Sequence, residues 1–172
     1  GSSRGLKAMN RHYDRETYLE KVNYAKSVMP GLVLTSDVIV GFPGETEEEF
    51  EETLSLISQV HYDSLFTFIF SPRAGTPAAS MDDPTPKEEK NRRFDKLCNL
   101  QNTISEGIHQ NYVGRTMQCL VDGVDKDMLT ARTEGGRLVR FPGDTSLIGS
   151  YLPLIITGAT TWSLTGIQAE KE

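Results

Sequence analysis

Two apolar runs with a capped helix between them constrain this chain more than any other feature. Leu32 to Val40 is dominated by Leu, Val and Ile, nearly continuous rather than alternating, which suits a parallel strand covered on both faces. Gly41-Phe-Pro-Gly44 ends that run. Thr46-x-x-Glu49 then reads as a capping box. The threonine hydroxyl satisfies a free backbone N–H, and Glu47, Glu48 and Glu49 stand at the positive end of the helix dipole. Phe50, Thr53, Leu54 and Ile57 give this helix an inner face, and Leu65 to Phe70 is the second short apolar run. With short connections throughout, the order predicts a right-handed parallel βαβ unit.

The flanking elements follow from the same rules. Asp14 is a candidate N-cap, and Tyr18, Val22, Ala25 and Met29 recur at helical spacing until Pro30-Gly31 stops them. A breaker-rich loop covers Ser71 to Pro84. A second capping-box pattern, Thr85-Pro-Lys-Glu88, places proline where its missing N–H does no harm. The long helix it opens carries Phe94, Leu97, Cys98, Ile104 and Ile108, interrupted by Gln101, to about Gln110. From Gly114 the texture changes to short β-prone runs: Thr116 to Val121, Leu129 to Thr133, Leu138 to Phe141, Tyr151 to Thr157 and Ser163 to Gln168. Strands at this spacing predict a small all-β barrel of the OB kind, with a domain boundary near residues 110–114.

Composition narrows the function classes. With 172 residues, 37% of them hydrophobic, the chain has enough apolar material for one good-sized core or two small ones. The run Leu65 to Phe70 is far short of the roughly 20 residues that cross a bilayer, and no basic-then-apolar leader opens the chain, so a cytoplasmic location without membrane contact is expected. Cys98 and Cys119 are the two cysteines and share no paired spacing, so neither a disulfide framework nor a cysteine-rich metal site can be written. Residues 1–110 carry 12 basic and 17 acidic side chains, and residues 111–172 carry 6 and 7. Bulk charge therefore does not advertise nucleic acid. The first fifteen residues run the other way, with Arg4, Lys7, Arg11 and Arg15 against Asp14, which fits either a local anion-facing segment or a solvated terminus.

The candidate sites lie where the strands end. Asp37-Val-Ile-Val-Gly-Phe-Pro-Gly-Glu45 closes its strand in glycines at the carboxyl end, where parallel α/β sheets bind ligands. A tight turn with no ligand explains the glycines equally well. Ser71-Pro-Arg-Ala-Gly-Thr76 brings an arginine to the same rim. Its planar fork suits a carboxylate or phosphate.

Gly1-Ser-Ser-x-x-Leu-Lys-x-Met-x-Arg11, Asp37-x-Ile-Val-Gly-Phe-Pro-Gly-Glu-Thr46 and Phe70-Ser-Pro-Arg-x-Gly-Thr-Pro-Ala78 together resemble the second half of the radical-SAM methylthiotransferases. Ser71-Pro-Arg73 followed by Gly75-Thr-Pro-Ala78 is closer to the MiaB-type tRNA enzymes than to relatives that modify a ribosomal protein. Gly114-Arg115, Arg132-Thr133, Val139-Arg-Phe141 and Ile148-Gly149 resemble the TRAM domain that closes such chains.

The resemblance implies an α/β fold, the incomplete TIM-like barrel of a radical-SAM domain over residues 1–110, followed by the OB-like TRAM barrel over 111–172. It implies S-adenosylmethionine (SAM) and [4Fe–4S] clusters as cofactors of a full-length parent, and methylthiolation of C2 of N6-isopentenyladenosine beside the anticodon. By the same resemblance Asp37, Val38, Ile39, Val40 and Gly41 border SAM, the valines and isoleucine as an apolar wall and Gly41 admitting the ligand, while Arg11 and Arg73 lie near the SAM or substrate end. Arg115, Lys126, Arg132, Arg137 and Arg140 are the expected RNA-binding set, facing a tRNA anticodon stem-loop.

The sequence departs from the family in its cysteines. A three-cysteine cluster motif is absent, and two isolated thiols do not replace it. The chain by itself is therefore expected to be inactive, and its cut barrel to expose a strand edge that pairs with another copy. Two alternatives stay open: a related methylthiotransferase acting on threonylcarbamoyladenosine in tRNA or on a ribosomal protein, and a non-catalytic protein whose OB-like module binds RNA through those cations with Tyr151 and Trp162. Scattered surface cations and a core tryptophan would explain the same residues.

Overall fold

In the computed structural model, which describes residues 1–169, the chain forms two compact units that divide between Ile104 and Ser105. The division falls inside a helix, a few residues before the boundary expected near residues 110–114. The last turn of that helix is used by the second unit, where His109 Nδ1 meets the Thr160 carbonyl at 2.7 Å.

The first unit contains α1 (Ser3–Ala8), α2 (Arg15–Val28), β1 (Thr35–Val40), α3 (Glu47–Val60), β2 (Ser64–Ile69) and most of α4 (Lys87–Gln110). Local chemistry sets the starts of α1, α2 and α3. Ser2 accepts from the Gly5 N–H at 2.8 Å and Asp14 from Thr17 N–H at 2.8 Å. Thr46 and Glu49 form the expected reciprocal capping box. α3 buries Phe50, Thr53, Leu54, Ile57 and Val60, and these pack with Val22, Val40, Tyr62 and Leu97 in one core.

β1 and β2 pair in parallel, with Asp37 opposite Phe66, Val38 opposite Thr67 and Ile39 opposite Phe68. Two strands do not close a barrel. The expectation of cover on both faces is corrected: burial alternates along both strands, and Phe66 (58%) and Phe68 (53%) remain exposed beside Asp37 and Ile39. Apolar residues in a run state what gains from burial, whereas the described helices supply apolar partners to the Val38, Leu65 and Ile69 face.

α4 is also more polar inside than its apolar spacing suggests. Lys90, Arg93, Leu97, Gln101, Ser105 and His109 are its buried positions, all from one stripe of the helix. Gln101 is no lapse, since its Nε2 donates to the Tyr62 carbonyl at 2.8 Å.

The second unit is a closed barrel of β3 (Thr116–Asp125), β4 (Met128–Thr133), β5 (Leu138–Phe141), β6 (Tyr151–Ala159) and β7 (Leu164–Gln168), in the order β3-β4-β5-β7-β6. The β5–β7 pair is parallel and the other pairs are antiparallel. Cys119, Val121, Leu129, Ala131, Val139, Phe141, Leu154, Ile156 and Leu164 alternate inward and fill it. This is the OB-like barrel read from the sequence.

Candidate functional site

In the first unit the Gly41–Glu45 turn is built by its own glutamate. Glu45 Oε2 accepts the Gly41 N–H at 2.8 Å, and Arg93 donates to the Glu45 carbonyl at 2.9 Å and to Oε2 at 3.2 Å. Arg93 is almost fully buried and also reaches Glu89 Oε1 at 2.9 Å. Burial nevertheless pushes the Glu45 carboxyl above the ordinary carboxylate range, outweighing the Gly41 and Arg93 bonds. Gly41 has φ +68°, and a Cβ there would lie 2.6 Å from Lys90 Cγ. Lys90, itself buried, runs over the glycine, pairs with Asp83 and sits 5.9 Å above the Phe70 ring. One side chain thus ties the turn after β1 to the loop after β2.

That geometry sorts the expected SAM-side residues. Arg11, Asp37, Val38 and Ile39 line a common cavity of about 150 Å³ with Tyr18, Phe42 and Tyr62. Two expectations are corrected. Val40 is 1% exposed and belongs to the core, so it presents no wall to a ligand; Gly41 receives the Lys90 stem on its Cβ side, so its glycine character answers to packing and positive φ. Arg73 stays on the exposed loop after β2 and is not part of the cavity lining. Two cations of the basic amino-terminal segment are held within their own unit. Arg4 pairs with Glu49 and donates to the Gly44 carbonyl at 2.6 Å, and Arg15 donates to the Glu52 carbonyl and to Ser55 Oγ.

The cofactors implied by the resemblance can be tested against these residues. Small-molecule sites usually enclose roughly 300–1,000 Å³, so the cavity offers part of a wall and not a whole SAM site. Among the described residues no group of three His, Cys, Asp or Glu is placed to hold a metal. Cys98 lies in the first unit against Thr67 Oγ1 at 3.7 Å, and Cys119 lies in the barrel core, where burial raises its thiol to about 11. Among the described residues a [4Fe–4S] cluster finds no ligand set, and the cavity supplies only part of a SAM site.

In the barrel, the five expected RNA-binding cations divide. Lys126 is exposed at the β3–β4 turn with φ +57°. Arg132 donates to Asp122 Oδ2 at 2.9 Å, and Arg140 donates to Asp125 Oδ2 and to Ser163 Oγ, both at 2.8 Å. Arg115 stacks on Tyr112 at 5.5 Å. Arg137 is the correction: it is 8% exposed, lies 4.4 Å from the Tyr112 ring centroid, and burial pulls its guanidinium pKa down. It follows β4 in a turn that folds inward, with Thr133 N–H donating to its carbonyl at 3.0 Å and its own N–H to Thr133 Oγ1 at 3.1 Å. Its guanidinium is engaged within the protein and not held out on the surface. Tyr151 and Trp162, by contrast, are 71% and 75% exposed, so the core-tryptophan reading is also corrected.

Register places Tyr151 opposite Leu120, Leu120 opposite Arg132 and Arg132 opposite Leu138, one outward row across β6, β3, β4 and β5. No helix among the described residues is long and apolar enough to cross a membrane.

Residues 1–57 match the Radical SAM superfamily and residues 110–168 match the TRAM domain. The chain is 48% identical over 169 residues to the tRNA-2-methylthio-N(6)-dimethylallyladenosine synthase of Clostridium botulinum, covering 96% of this chain and 38% of that protein. The chain is homologous to the MiaB-type tRNA methylthiotransferases. Synthases of the same name from Acetivibrio thermocellus and Symbiobacterium thermophilum are 46% and 47% identical, over 96% and 99% of this chain and 35% and 37% of theirs. The chain thus spans well under half the length of these relatives.

Sequence reading missed Lys90 and Arg93 as the residues that hold the methylthiotransferase-like turn. Their signal was present as a helical stripe with Leu97 and Gln101. It was masked because charged residues on a helix are ordinarily read as its solvated face.

Proposed function

We propose that this chain is the SAM-side and tRNA-side portion of a cytoplasmic radical-SAM enzyme that methylthiolates C2 of N6-isopentenyladenosine beside the anticodon. Its full-length form uses SAM and [4Fe–4S] clusters. The observation that carries this reading is the succession of a radical-SAM segment and a TRAM domain within one chain, at 48% identity over 96% of its length to a protein named for that product. Residues 1–110 supply the last strands of an incomplete TIM-like barrel, and residues 111–172 form the TRAM domain.

In this reading Arg11, Asp37, Val38 and Ile39 border SAM, and the Gly41–Glu45 turn, held by Arg93 and Lys90, keeps that border rigid. The barrel binds the anticodon stem-loop through Arg115, Lys126, Arg132 and Arg140. Arg132 and Arg140 already have carboxylate partners, so phosphate must compete with Asp122 and Asp125, and binding is modest in strength and strongly salt-dependent. The open edges of β1 and β2 and the exposed Phe66 and Phe68 favour pairing with a second copy; sedimentation showing a strict monomer at high concentration would remove that part. The test of the RNA role is titration of the whole chain with an anticodon stem-loop at two salt concentrations. Affinity that falls steeply with salt is expected, and no association at low salt overturns the reading.

A further inference from the structure

The barrel carries an exposed tryptophan on a braced turn. Trp162 occupies the turn between β6 and β7 and is 75% exposed. Within the turn the Thr160 hydroxyl accepts from Trp162 N–H at 3.3 Å and Ser163 N–H at 3.1 Å, and donates to the Ser163 carbonyl at 3.1 Å. Thr160 N–H also donates to the Ser163 carbonyl, at 2.8 Å. Outside it, the His109 ring N–H donates to the Thr160 carbonyl at 2.7 Å, Gln110 Nε2 to the Ala159 carbonyl at 3.3 Å, and Arg140 Nη1 to Ser163 Oγ at 2.8 Å. A surface turn is normally among the more mobile parts of a domain. This one is braced from a helix and from a neighbouring strand, so the backbone that carries the indole is held in place.

Arg140 joins this turn to a second feature. Its Nε donates to Asp125 Oδ2 at 2.8 Å, which brings the β3–β4 hairpin tip, with exposed Lys126 beside Asp125 and Asp127, to within one guanidinium of the Trp162 turn. The charges here nearly cancel. The group on offer is therefore a flat, exposed π-face on a braced turn that Arg140 also contacts, and its natural occupant is an unpaired nucleobase, which every single strand provides. An indole has two side-chain torsions to fix, so little entropy is lost when it stacks.

We infer that Trp162 is a base-stacking platform for single-stranded RNA, bordered by Arg140 and Lys126. This rests on the RNA-binding reading of the barrel and adds the contact that senses whether a base is unpaired. Because stacking releases no counterions, its removal weakens binding without changing the salt slope, unlike loss of an arginine that contacts phosphate.

Trp162 is the one tryptophan of the chain, so its emission reports this contact alone. The whole chain is titrated with single-stranded oligoadenylate and with a blunt RNA duplex of equal length, alongside Trp162→Ala and Trp162→Phe followed by fluorescence polarisation of labelled RNA. The expected result is saturable quenching by the single strand and little by the duplex, with Trp162→Ala binding the single strand roughly 5- to 100-fold more weakly at an unchanged salt slope. Trp162→Phe recovers most of the affinity, and both variants keep the parent melting temperature. RNA binding without a change in emission, equal quenching by the duplex, or parental affinity in Trp162→Ala overturns the stacking site and leaves the RNA-binding reading intact. Absence of binding to any RNA at low salt overturns both.

Discussion

Replacing Arg137 with alanine tests whether this arginine packs or binds. The side chain is 8% exposed and its guanidinium lies 4.4 Å from the Tyr112 ring centroid, with Arg115 5.5 Å from the same ring. Truncation removes two buried methylenes beyond Cβ, worth about 0.8 kcal/mol each. It also removes a desolvated cation–π contact worth up to about 2 kcal/mol. The guanidinium makes further interactions within the protein, so breaking them adds to the loss, which comes to about 2 kcal/mol or more. For a unit of this size each kcal/mol moves the midpoint by roughly 4–8 °C, so the barrel of Arg137→Ala should melt roughly 8–16 °C below the parent. Arg132→Ala, which loses a half-exposed pair with Asp122, should shift by under about 1 kcal/mol. Thermal unfolding of the three proteins by circular dichroism, with Arg137→Met as a variant that keeps the stem, decides the matter. An Arg137→Ala midpoint within about 2 °C of Arg132→Ala would refute the packing role.

Four further outcomes are expected. The hydrogen bond from Arg4, with help from Thr46 N–H and Ser2, holds the Glu49 carboxyl at about 2 against its ordinary 4.5. A depressed carboxylate stabilises above its unfolded value, so the margin by which the parent outlasts Glu49→Gln should shrink as pH falls from about 4.5 to about 2, read as melting temperatures; a margin independent of pH counts against the pairing. Gly41→Ala should destabilise by more than the roughly 1–2 kcal/mol of a left-handed residue, because its Cβ also meets Lys90. The excess should vanish in a Lys90→Ala background, and denaturant titration of the double-mutant cycle measures it. Lys90→Met, which releases Asp83, should speed tryptic cleavage after Arg73 several-fold. Lastly, anaerobic incubation of this chain with iron, sulfide and SAM should yield neither a stoichiometric [4Fe–4S] cluster nor 5′-deoxyadenosine, since Cys98 and Cys119 belong to separate units; either product would overturn the ligand argument.

Much of this protein is local and therefore legible in the chain. The Asp14 cap, the Thr46 and Glu49 capping box, the buried face of α3 and the five barrel strands all follow from backbone hydrogen-bond demand and side-chain periodicity, which act over a few residues. The resemblance carried by Asp37 to Thr46 and by Phe70 to Ala78 is local in the same sense, being a string of residue types at short spacing.

What a side chain touches across the fold is not written in that string. Arg132 and Arg137 look alike in sequence, yet one projects from a strand toward Asp122 and the other turns in against Tyr112. Gly41 reads as an opening for a ligand, but Lys90, forty-nine residues further along, lies where a Cβ would stand. Trp162 reads equally as core or as an exposed aromatic, and Thr160, His109 and Arg140 hold its turn while the side chain stays exposed. Periodicity tells which residues share a face of their own element; burial depends on what another element brings to that face, and only the tertiary structure decides it.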